Sequence, residues 1–145
     1  MRALLLLDPV DDQLSAPLGP GLRDVLEGPR RRGYPTLIEG YWKQILVNAG
    51  PGVAALVLGD LRATPPQTVV ESMRALAAFD SSRALTAFKG PVMSITTPLN
   101  DFPSSLQRVH PWLPHHRLTD VSHWLQLDRP AEFNRILDGF LETLR

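Results

Sequence analysis

Cysteine is absent from this 145-residue chain. That excludes disulfides, thiolate metal sites and a cysteine nucleophile, and points to a reducing, cytoplasmic compartment. Net charge is absent as well, since 15 Lys+Arg balance 15 Asp+Glu, so no chain-wide field draws the protein to nucleic acid or to an anionic membrane. No apolar run approaches the roughly 20 residues that cross a bilayer, and the opening "ALLLL" is shorter than the apolar part of a secretion signal. Neither a P-loop nor a G-x-G-x-x-G occurs, so no nucleotide or other cofactor is expected. The length is that of one domain.

Residues 3–7, followed by Asp8 and Pro9, form a continuous apolar run closed by a breaker, the pattern of a parallel strand covered on both faces. Residues 11–36 are crowded with Gly and Pro and read as an irregular excursion with one short helix near 22–27. Tyr41, Trp42, Ile45 and Leu46 recur at helical spacing until "NAGPG" stops them. "VAALVLGDL" (53–61) is apolar on nearly every side; periodicity does not separate strand from buried helix there, and the reading leans to helix. Thr64, Pro65 and Gln67 form the pattern of a capping box, which predicts a helix over 65–79. "GPVMSITTP" (90–98) and "RLTDVS" (117–122) read as a second and a third strand. Phe133, Ile136, Leu137, Phe140, Leu141 and Leu144 mark a final amphipathic helix. Strands separated by helical stretches pair in parallel through crossovers, which predicts an α/β layer architecture.

In such a sheet every strand's carboxyl end opens on one rim, where α/β proteins gather their chemistry. Asp101 after the second strand and His123 after the third would share that rim. A carboxylate there can accept the imidazole Nδ1–H, fix the tautomer and leave Nε2 as a base. The alternative is a turn Asp and an ordinary packed His. His110, His115 and His116 around "PWLP" lack ligand spacing and read as loop residues, so no metal is expected. "PRRR" (29–32) reads as a solvated turn, and Trp42 with the 53–61 run as core packing or the lining of a substrate pocket.

"GPVMSITTPLNDFP" and then "PHHRLTDVSHWLQLDRPAEFNRILDGFL" resemble the C-terminal part of α/β-hydrolase-fold enzymes, and "RALLLLDP" resembles the strand preceding that family's lid. The resemblance implies a partial α/β-hydrolase fold: the last three parallel strands with flanking helices, a lid-like helical insertion over 11–86, and C-terminal strands and helix over 87–145. It implies His123 as general base and Asp101 as the acid orienting it, with Asp8, Asp11 or Asp12 in reserve. Ser122 stands where a glycine is common. None of the serines (15, 72, 81, 82, 94, 104, 105, 122) lies in G-x-S-x-G, so the nucleophile elbow expected of the family is missing. The implied activity is hydrolysis of a small ester or amide when the site is complete, and inactivity of this chain alone. The competing expectation is a truncated, non-catalytic interaction module. On either reading, residues 3–7 are an exposed strand inviting self-association or a partner strand.

Overall fold

The leucines at the start of the chain form strand β1 (Leu4–Leu7) in a computed structural model that describes residues 3–9, 25, 28 and 32–145. Asp11, Asp12, most of the helix predicted near 22–27 and all of the basic run but Arg32 lie outside the described residues. β2 (Val92–Thr96) pairs in parallel with β1, and β3 (His115–Arg117) pairs in parallel with the other edge of β2, giving the order β1-β2-β3. The register sets Leu7 beside Ile95 and Ile95 beside His116. Residues that follow each strand therefore emerge on the same rim.

The third strand lies earlier in the chain than the sequence pattern predicts. Pairing ends at Arg117, although the Leu118 amide still donates to the Thr96 carbonyl at 2.9 Å. Beyond it Asp120 takes φ 57, in the left-handed region, and the turn drops Leu118 and Val121 into the core instead of alternating them along a strand. His115 and His116 are consequently strand residues, not loop residues.

Both faces of the sheet are covered, which is what four successive leucines require. On one face Leu5, Leu7, Met93 and Ile95 pack with Leu118, Val121, Leu125 and Ile136. Ile136 belongs to the closing helix α7 (Pro130–Glu142), whose Phe133 and Phe140 lie on the same apolar stripe. On the opposite face Leu6 and Val92 meet Leu85, Leu106 and Leu113. Those come from α4 (Ser81–Ala87), from α5 (Leu106–Val109) and from the turn before β3. Each side chain fully covered in this way contributes roughly 1.5–3 kcal/mol.

Among the described residues, α1 (Tyr34–Ile45), α2 (Pro51–Ala63) and α3 (Pro66–Ala77) stand between β1 and α4. They share a separate core of Val25, Tyr34, Ile38, Leu61, Val69 and Val70, against which Trp42 packs. α1 begins inside the stretch expected to be irregular, started by Gly33 at φ 79 and by Pro35 in its first turn. The ambiguous run 53–61 is helical: Val57 and Leu61 turn inward at i, i+4 while Leu56 stays exposed. α3 forms as predicted, but the capping box does not. Thr64 ends α2, its hydroxyl donating back to the Asp60 carbonyl at 2.8 Å, and Gln67 donates to Glu71. Pro65 after it favours an extended Thr64, so the residue closes one helix and does not cap the next. No helix among the described residues is long and apolar enough to cross a membrane.

Candidate active site

β1 ends at Asp8, which takes φ 41, a left-handed value that Asp tolerates better than most side chains. The turn puts the carboxylate inside the protein, with no exposure at all. A buried carboxylate needs donors, and the loop after β2 supplies two. Oδ1 accepts from the Thr97 amide at 2.7 Å, and Oδ2 accepts from the Thr97 hydroxyl at 3.0 Å. The backbone of Asp8 is fixed too, its amide donating to the Ile95 carbonyl at 2.6 Å and its carbonyl accepting from Asn100 Nδ2 at 3.1 Å.

The remaining partner of Oδ2 is Nδ1 of His123, at 2.8 Å. A carboxylate only accepts, so this bond keeps the proton of the neutral ring on Nδ1 and makes Nε2 the basic nitrogen. The ring is 31% exposed while its acid is sealed, and it meets Trp124 edge-on at 5.3 Å. The His123 amide donates to the carbonyl of Ile45, the last residue of α1, at 3.1 Å. The helices are thus tied to the histidine loop.

Asp101 occupies the same rim without reaching His123, which corrects the expected pairing. It lies beyond the short 3-10 turn Pro98–Asn100 and accepts from Arg108 Nε at 2.6 Å and from Arg117 Nη1 at 2.8 Å. The Arg108 hydrogen bond holds its carboxyl below the ordinary carboxylate range; partial burial opposes this, and the charges of Arg108 and Arg117 reinforce it. The reason lies in sheet neighbourhood: β1 and β2 are adjacent, so Asp8 comes off beside Thr97, whereas Asp101 is carried farther along the rim to α5 and the end of β3. Of the reserve acids, the described one is the one in contact.

The other histidines form no metal cluster among the described residues. His110 Nε2 lies 2.9 Å from the Ser82 hydroxyl. Trp42 is half-buried against the helical core. A groove of about 620 Å³ runs between β3 and α7, floored by Met93, Ile136 and Phe140, and includes neither Asp8 nor His123. Sequence reasoning missed Thr97 and Asn100, whose signal is weak: "TTPLN" reads as a strand end and a breaker, with nothing to mark its Thr as a donor to a distant acid.

No family model matches the chain. A 44-residue stretch is 43% identical to bifunctional epoxide hydrolase 2 of Sus scrofa, covering 28% of this chain and 8% of that protein. Among solved structures, Est816, described as an N-acyl homoserine lactone degrading enzyme, superposes with a TM-score of 0.67 at 19% identity, over 95% of this chain and 57% of that one. The fold is α/β-hydrolase-like. It spans little more than half the length of that structural neighbour. The three parallel strands with helices on both faces are the partial α/β-hydrolase fold that the C-terminal sequence resembles.

Proposed function

We propose that Asp8 and His123 are the acid and the base of a hydrolase site. The observation that carries this reading is the 2.8 Å bond between a wholly buried carboxylate and Nδ1 of a partly exposed imidazole. Such a pair takes a proton at Nε2 from an attacking hydroxyl or water, returns it to the leaving group, and is stabilised as imidazolium by Asp8. Asp101 serves as a structural ion-pair partner. The nucleophile and the amides that hold a developing oxyanion come, in this reading, from a segment outside these 145 residues, because no G-x-S-x-G stands in the chain. The helical stretch within 11–86 acts as a lid over the rim, supported by the Ile45–His123 backbone bond. Substrates are small molecules with an ester, amide or similar bond; the names of the two similar proteins add an epoxide and an N-acyl lactone to the panel.

The test compares hydrolysis of an activated ester, a lactone and an epoxide. In a polypeptide that joins this chain to a nucleophile segment, His123→Ala and Asp8→Asn each lower turnover by about 10²–10⁴-fold, while Asp101→Asn leaves it near wild type. The 145-residue chain by itself gives no turnover above its own His123→Ala variant. Full activity in Asp8→Asn with loss in Asp101→Asn would reverse the acid assignment.

A second reading concerns β1. The Leu4 and Asp8 amides donate to Pro91 and Ile95, so in the alternation of a parallel pair the Leu5 and Leu7 amides face away from β2. Among the described residues that outer edge has no strand beside it. It is the edge through which the chain self-associates or takes up a partner strand.

A further inference from the structure

The loop that carries His123 is fastened by a second carboxylate. Asp128 ends α6 (Leu125–Asp128), and its Oδ2 accepts from the Ser122 amide at 2.8 Å and from the Ser122 hydroxyl at 2.6 Å. The same hydroxyl oxygen accepts from the Trp124 amide at 3.1 Å. With the His123 amide held by Ile45, three successive amides, those of Ser122, His123 and Trp124, all have partners. Two of the three depend on the Ser122–Asp128 pair, and Ser122 is wholly buried. The other oxygen of Asp128 accepts from the Gly50 amide at 3.3 Å, at the start of α2. One carboxylate thus spans the histidine loop and the turn between α1 and α2.

We propose that Asp128, acting through Ser122, is a positioning residue that holds His123 in bonding reach of Asp8. The role rests on the reading of Asp8 and His123 as acid and base. The physical reason is geometric. Asp8 directly follows β1 and His123 stands on the loop beyond β3, and a 2.8 Å bond between them survives only if the histidine backbone cannot swing. A loop would otherwise supply that restraint poorly. The residue before the histidine is a serine whose hydroxyl both donates to Asp128 and accepts from Trp124, so the restraint runs through this side chain. Gly50 and Ile45 flank the α1–α2 turn, and the two bonds they make carry the position of the helices into the loop.

NMR of the 145-residue chain tests this through exchange of the His123 Nδ1 proton with solvent, a readout that overall stability does not set. Asp128→Ala and Ser122→Ala each speed that exchange by about tenfold or more, the effect of losing hydrogen bonds to a charged acceptor. Asp128→Asn restores most of the protection, since its amide oxygen can still accept from Ser122. Should Asp128→Ala fail to fold, Ser122→Ala, which removes no charge, decides the matter. A proton protected in the wild type and equally protected in folded Asp128→Ala and Ser122→Ala overturns the positioning role alone. A wild-type proton indifferent to Asp8→Asn overturns the acid–base pairing, and this role with it.

Discussion

Two substitutions at Asp8 separate what its carboxylate does for stability from what it does for chemistry. Asp8→Ala leaves the Thr97 amide, the Thr97 hydroxyl and His123 Nδ1 without the acceptor they share. The hydroxyl can rotate and the imidazole can move its proton to Nε2, but the amide has no such freedom, and Thr97 is 1% exposed. A stranded buried donor costs about 1–3 kcal/mol and a hydrogen bond lost to a charged acceptor about 1.5–3. Removing a buried charge returns part of its desolvation cost. Alanine also tolerates the left-handed backbone at φ 41 less well than aspartate. The net loss is about 2–4 kcal/mol, a fall in Tm of about 4–16 °C for a domain of this size.

Asp8→Asn keeps shape, backbone tolerance and the acceptor for the Thr97 amide, so its stability cost is nearer about 1 kcal/mol. Its Nδ2 now donates where Oδ2 accepted. His123 must then accept at Nδ1 and carry its proton on Nε2, the tautomer that cannot act as the base. A comparable change in a Ser-His-Asp triad costs about 10⁴-fold in turnover. The assay pairs thermal melts with ring ¹⁵N shifts of His123, which distinguish the two tautomers. An Asp8→Asn protein with Nδ1 still protonated would refute the reasoning, as would an Asp8→Ala protein that melts with the wild type.

Other substitutions probe the surrounding structure. Asp101→Asn leaves the His123 tautomer unchanged, lowers stability at neutral pH by what the carboxylate contributes there, and flattens the acid limb. The folded carboxyl sits below its ordinary value of 3.8, so its contribution is complete above that value and lost as pH falls through the lower folded one. Urea melts of the variant therefore decline less steeply than the wild type below about pH 4. Leu125→Ala, at a wholly buried position just after the histidine loop, lowers stability by about 2–5 kcal/mol in chemical denaturation. Leu5→Pro removes an outward-facing donor without taking a bond from β2, so sedimentation over a wide concentration range gives a variant that stays monomeric where the wild type associates. A wild type that is monomeric throughout would end the edge-pairing idea.

The sequence determined by itself the features that local chemistry specifies. Apolar runs closed by breakers marked β1 and β2, the i, i+3, i+4 stripe marked α7, and strands alternating with helices implied parallel pairing with one functional rim. It also placed Asp8 at a strand end, whereas His123, expected directly after a strand over 117–122, follows a turn beyond β3. The tertiary structure alone decided which acid meets the histidine. Asp101 has the nearer sequence position, but adjacency of β1 and β2 brings Asp8 beside Thr97, and the turn at φ 41 aims its carboxylate inward. Arg108 and Arg117 draw Asp101 the other way. Capping was decided in the same manner, since Thr64 satisfies the pattern for starting α3 yet the proline after it makes it the end of α2. A short-range pattern records what a residue can do with its chain neighbours. A buried carboxylate, which must find donors wherever the fold presents them, takes its partners from residues far away in the chain, here Thr97 and His123.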